Sequence, residues 1–120
     1  MTLHHTYLIK PLSANKMFAR KGKTTFKTRD YLNYQEEMRD GILGETWPFG
    51  TEQVIFLVTA GVSSRASDLD NLIKPLLDTY QNIFPEFNDN KVYGIYMMKT
   101  IVPRGEEYLE VTVRKMNDED

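Results

Sequence analysis

Apolar positions along this chain follow two different periods. Leu69, Leu72, Ile73, Leu76, Leu77, Tyr80, Ile83 and Phe84 recur at helical spacing and form one continuous stripe. They predict an amphipathic helix from about Leu69 to Phe84, with Asp70, Asn71, Lys74, Asp78, Gln81 and Asn82 on its polar face. Pro75 interrupts that pattern. It has no N–H to offer the carbonyl of Asn71 and disfavours helical backbone at Lys74, so the helix either starts near Asn71 or kinks at Pro75. Gln53 to Ala60 is rich in β-branched and aromatic residues and reads as a buried strand. Val92 to Thr100 and Tyr108 to Arg114 read as two more, joined by a turn at Pro103, Arg104 and Gly105. Near the N-terminus, Thr6 to Ile9 reads as a short strand stopped by Pro11. Residues 11 to 28 carry Pro, Ser, Asn, Gly and many lysines, which predicts a loop or ribbon. Thr28 or Asp30 is placed to cap a helix from about Tyr31 to Leu43, ended by Gly41 and Gly44. The acidic tail, Asn117 to Asp120, is expected to fray. The elements add up to an α+β fold, a small mixed sheet packed against helices in a single compact domain over residues 1–120.

Composition narrows the chemistry. The chain has 120 residues, 41% hydrophobic and 27% charged, values that suit one globular domain and argue against disorder. It has no cysteine, so thiolate metal sites and disulfides are excluded. His4 and His5 are the only imidazoles, and an incidental role fits them best. A metal would be held by carboxylates, which favours hard ions such as Mg²⁺ or Mn²⁺. The longest apolar run, Val54 to Val58, is far short of the roughly 20 residues a membrane helix needs. The first residues lack the basic and apolar pattern of a secretory signal, so a cytoplasmic location is expected.

The distribution of charge changes the impression left by a net charge of −2. Residues 1 to 29 hold seven basic residues (Lys10, Lys16, Arg20, Lys21, Lys23, Lys27, Arg29) and no acid. Every acid, 17 in all, lies in the remainder. Such a basic segment suits a phosphate backbone, although a solvated lysine-rich loop would look the same. Phe18, Phe26, Tyr31 and Tyr34 are interleaved with these cations, placed either to stack on bases or to join the core. Lys21-Gly22-Lys23-Thr24 resembles the end of a phosphate-binding loop, but Met17 stands where the earlier glycine is needed.

The acids supply candidate chemistry. Ser67-Asp68-Leu69-Asp70 fits a helix cap, with acids favoured by the helix dipole. It also fits a cation site, provided Asp68 lies before the helix in extended or turn geometry. If both were helical, the two carboxylates would diverge by about 200°. Lys74, four residues after Asp70, shares its face. Asn88-Asp89-Asn90 is a polar turn before the strand at Val92, and pairing of that strand beside the helix start would bring Asp89 back to Asp68 and Asp70. Three clustered aspartates would repel one another without a cation, and phosphodiester hydrolysis is a reaction for which Mg²⁺ is suited.

Taken together, these segments resemble the RusA family of Holliday junction resolvases. The resemblance rests on Asp68-Leu69-Asp70-Asn71-Leu72-Ile73-Lys74, on Leu77-Asp78, and on Asn88-Asp89 at a 21-residue step from Asp68. Pro11-Leu12-Ser13-Ala14-Asn15-Lys16, Lys99 and the strand Leu109 to Val113 fit as well. The chain departs from the pattern in having only Arg65 just before Asp68, and Gly94 where an acid is common. The resemblance implies a homodimeric, Mg²⁺-dependent endodeoxyribonuclease that binds four-way DNA junctions and makes paired symmetric nicks in recombination and repair. Asp68, Asp70 and Asp89 would be metal ligands and Lys74 the essential cation. Asn15, Lys16, Arg20, Lys21, Lys23, Lys27, Arg65 and Asn71 are the expected DNA contacts. The alternatives are a nuclease for other branched DNA, or a non-catalytic DNA-binding or assembly module whose acids only cap a helix.

Overall fold

A computed structural model describes residues 1 to 117; of the tail expected to fray, Asp118 to Asp120 lie outside them. In chain order the elements are β1 (Thr2–Tyr7), β2 (Phe18–Lys21), β3 (Thr24–Lys27), α1 (Arg29–Gly41), β4 (Val54–Val62), α2 (Asp70–Ile83), β5 (Val92–Ile101) and β6 (Tyr108–Lys115). Four strands form a mixed sheet in the order β1-β6-β4-β5, in which β4 and β5 run parallel and the other pairs antiparallel. A parallel pair needs a crossover, and α2 supplies it. β2 and β3 pair with each other as a separate ribbon.

The apolar pattern explains the layers. Phe56, Val58, Ala60 and Val62 alternate onto one face of β4 and are buried. They join Leu72, Leu76 and Tyr80 of α2 and Tyr31, Tyr34 and Met38 of α1 in one core. Phe56 meets Tyr80 edge-on at 5.3 Å. Truncating Leu76, 1% exposed, to alanine would cost about 2–5 kcal/mol. The Tyr7 and Tyr80 hydroxyls share a hydrogen bond of 2.8 Å that ties β1 to α2. Burial pushes the Tyr7 phenol up to about 12 and Tyr80 well above its ordinary range.

Several expectations shift. The first strand is Thr2–Tyr7, not Thr6–Ile9, because its six residues pair with β6 from Thr2↔Arg114 to Tyr7↔Leu109. Its polar histidines hide an alternation in which Leu3 and Tyr7 point inward. The stretch 11–28 is a ribbon, turned tightly at Gly22-Lys23 with Gly22 at φ 64°. A first central residue with positive φ and a second without it is the type II′ pattern suited to a two-residue hairpin. Thr28 caps α1, its hydroxyl accepting from the Tyr31 N–H at 3.1 Å. β4 lies between β5 and β6 and so has no free edge. No helix among the described residues is long and apolar enough to cross a membrane.

Candidate functional site

A cleft of about 590 Å³ opens between the segment from Ile9 to Lys16, the exposed side of α1 and the loop from Val62 to Asp68. The acid segment contributes Asp68 and Asn71, and the basic segment contributes Asn15 and Lys16. These are four of the residues singled out by sequence, brought together from segments more than fifty positions apart. Buried Leu12, Val62, Tyr34 and Leu72 supply apolar lining. Ser63 donates to Glu107 Oε2 at 3.0 Å, and the Gly105 N–H donates to Oε1 at 2.8 Å. The Glu107 carboxyl is held below its usual range, first by its own backbone N–H and then by Ser63 and Gly105.

The start of α2 explains the position of the acids. Asp68 precedes the helix and Asp70 is its first residue, so the two acids are not both helical; Asp68 lines the cleft and Asp70 is not among its lining residues. Leu69 stands at the cap position with helical backbone and no side-chain cap bond, so Ser67 and Asp70 do not form the expected capping box. The first turn is instead held by i→i−3 bonds, from the Asn71 N–H to the Asp68 carbonyl (3.2 Å) and from Leu72 to Leu69 (3.0 Å). α2 runs on through Pro75, and the option of a start near Asn71 is the closer one. Both carboxylates are exposed.

Lys99 is the feature the sequence did not identify as part of the site. Its ammonium donates to the carbonyls of Arg65 and Ser67, both at 2.8 Å. A cation on β5 therefore clamps the loop that leads into Asp68. Two buried or half-buried neighbours of Lys99 on its face of β5, Ile95 and Met97, match the core-facing positions of β4, which explains why the lysine reaches towards the start of α2. Lys74 lies on α2 four residues after Asp70, as expected, and its ammonium has a partner of its own. Its Nζ lies 3.0 Å from Asp78 Oδ2, an i,i+4 ion pair pointing along the helix rather than back to Asp70.

Asp89 is the main correction. The β4-α2-β5 crossover runs the helix against the strands, so α2 begins at the C-terminal end of β4 and ends at the N-terminal end of β5. Asp89 sits at that far end, its N–H donating to Gln81 Oε1 at 2.8 Å. From Asp70 to Gln81 the helix rises about 16 Å, and from Val92 to Lys99 the strand covers about 23 Å. The strand does pair beside β4, but its parallel direction carries Asp89 away from Asp68 and Asp70 rather than back to them. Among the described residues no three acids or histidines stand together as a metal site.

Of the expected DNA contacts, Arg20, Lys21, Lys23 and Lys27 lie on the exposed ribbon and Arg65 on the exposed loop before Asp68. Tyr31 and Tyr34 belong to the core, whereas Phe18 and Phe26 are 49% and 45% exposed. No protein-family model matches the chain, and no curated protein matches it as a relative.

Proposed function

We propose that the protein is a metal-dependent endodeoxyribonuclease for branched DNA, and specifically a Holliday junction resolvase that acts as a homodimer in the cytoplasm during recombination and repair. The observation that carries this reading is the cleft in which Asp68 and Asn71 meet Asn15 and Lys16, at the foot of a cationic ribbon. The cleft is lined by Asp30, Glu37, Asp68 and Glu107 as well as Lys10 and Lys16; acids able to hold a divalent ion, next to cations able to meet a phosphate, are the charge pattern this reading needs.

Mg²⁺ commonly takes one or two carboxylates and completes its shell with waters and phosphate oxygens. Asp68 and Asp70 fit that limited role within one chain. The ion would supply charge neutralisation and a more acidic bound water. The chain's own contribution is positional: Lys99 fixes the loop carrying Asp68, and Lys16 and Asn15 hold the strand on the opposite wall of the cleft. A third carboxylate requires a second copy. β5 is an edge strand of ten residues with Tyr93, Tyr96 and Met98 exposed. Antiparallel pairing of two β5 edges about a two-fold axis sets the Asp89 end of each beside the Lys99 end of the other. In that homodimer Asp89 of the partner subunit completes the pair Asp68 and Asp70.

The test is cleavage of a labelled four-way junction with Mg²⁺, with Mn²⁺ and with chelator, comparing wild type and Asp70→Asn. Paired nicks that require both the ion and Asp70 support the reading. A wild-type protein that binds the junction and never cuts it overturns the reading. The separation of Asp89 from Asp70 within one chain favours one alternative, a DNA-binding module in which the acids are structural; Asp68→Asn and Asp89→Asn would then leave all function unchanged. A panel of flaps and replication forks separates a junction resolvase from a nuclease for other branched DNA.

A further inference from the structure

We infer that the β2–β3 ribbon is a branch-sensing arm, which enters a groove of duplex DNA and lays Phe26 against the bases exposed at a branch point; this rests on the DNA-directed reading above. β2 and β3 are hydrogen-bonded only to each other among the described strands. Every residue of β3 is exposed, as are three of the four in β2. Their register pairs Phe18↔Lys27, Ala19↔Phe26, Arg20↔Thr25 and Lys21↔Thr24.

The pleat divides these pairs between two faces. Phe18 and Lys27 share the face turned to the body. Phe18 meets Tyr31 edge-on at 5.8 Å, while Lys27 lies 5.3 Å from the centre of the same ring and donates to Gln35 at 2.9 Å. Phe26 and Lys21 therefore share the outer face. Ala19 stands directly across from Phe26, and Phe26 has no ring contact among the described residues. An aromatic ring 45% exposed, on the strand face turned away from the body, gains little for folding.

The arm is firmly rooted and its tip is stiff. The Thr28 N–H donates to the Met17 carbonyl at 3.0 Å, the Thr28 hydroxyl donates to the Lys16 carbonyl, and Met17 is buried. At the tip, Arg20 Nε donates to the Gly22 carbonyl at 3.0 Å across the tight turn. Arg20, Lys21, Lys23 and Lys27 give the ribbon four cations and no acid. That charge selects an anionic partner over a neutral or cationic one, and a two-stranded ribbon fits the major groove of a duplex. The root residues Asn15 and Lys16 line the cleft that holds Asp68, so a strand held by the arm passes Asp68. Stacking of one base on an aromatic side chain explains why a ring belongs among these cations.

The roles of ring and cations separate in binding measured in chelator, where no cleavage is needed. Phe26→Ala is expected to weaken affinity for a four-way junction about tenfold while linear duplex of the same length changes less than twofold, and Phe26→Trp is expected to keep the preference for the junction. Lys21→Gln with Lys23→Gln is expected to weaken both DNAs alike and to lower the salt slope by about two. 2-Aminopurine at the branch should brighten with wild type and stay quenched with Phe26→Ala. Equal losses on junction and duplex with Phe26→Ala, or no loss on either, overturn the inference, as does binding to anionic vesicles in place of DNA. A protein that senses the branch through Phe26 yet never cuts would refute the nuclease reading and leave the arm standing.

Discussion

If Asp89 serves the acid pair of a second copy, two dead variants should revive each other. In Asp70→Asn homodimers both sites lack the acid at the start of α2; in Asp89→Asn homodimers both lack the acid at the far end of the crossover. Loss of one preorganised charged group costs about a hundredfold in rate, so each homodimer should fall near background. In a heterodimer of the two, one site collects both substitutions and the other collects none. Random assortment makes half the dimers mixed, and half the sites in those are intact, so a one-to-one co-expressed mixture should recover about a quarter of wild-type nicking. The helix rises about 16 Å from Asp70 to Gln81, whose side chain accepts from the Asp89 N–H, too far for one chain to bring the two acids to one ion, so recovery in the mixture would have to come from a second copy. The assay is junction cleavage on a denaturing gel, where the mixture should yield singly nicked junctions and few resolved duplexes. A wild type that cuts while the mixture stays at background refutes the shared site and leaves the nuclease reading intact. The absence of cysteine allows an independent check: chains carrying Asp89→Cys and Asp70→Cys should cross-link to each other with a short bismaleimide.

Other expectations follow from particular contacts. Lys99→Met removes both bonds to the Arg65 and Ser67 carbonyls; junction cleavage should drop about tenfold with junction affinity kept, as expected when a positioning contact is lost. A β-carbon on Gly61 would lie 2.3 Å from the Tyr108 ring, so Gly61→Ala should lower stability by about 1–3 kcal/mol in thermal melts, and an unchanged melting point would mean that the ring swings aside freely. Alkaline stability should be limited by the buried tyrosines Tyr7, Tyr34 and Tyr80, with Tyr7 as one measurable share. The unfolded phenol ionises near 10.0 while the folded one keeps its proton to about 12, so the unfolded state binds fewer protons in between. Stability therefore falls as pH rises through that window, by about 2–3 kcal/mol, and Tyr7→Phe should flatten the decline in denaturant midpoints.

The long amphipathic stripe of α2 was legible because eight apolar positions at helical spacing admit one reading, and the structure differs by a single residue at each end. Thr28 was legible as a cap because its hydroxyl has a chemical reason to stand before a helix. β1 was not, since His4 and His5 sit on or beside positions where an apolar residue would have marked the strand, and its pairing with β6 is set by residues more than a hundred positions away. At the site, Asp68 before the helix and Asp70 at its start could be inferred from local rules. The direction of β5 could not: periodicity says that a strand exists, and only topology says which end of it lies near α2. Lys99 was noted only as part of the family resemblance, and its role stayed hidden for the same reason, because its carbonyl partners belong to a loop more than thirty positions earlier.

The pairing of β1 with β6 has a consequence for how the chain is made. β1 leaves a ribosome more than a hundred residues before its partner β6 and waits for it, and β4, an inner strand, also takes one of its two neighbours from β6. Until Tyr108 to Lys115 has been synthesised, β1 has no partner and β4 has one open side. The sheet thus closes late and all at once, with long loops to close before its pairings form, which predicts slow folding and a nascent chain dependent on shielding of its exposed strands.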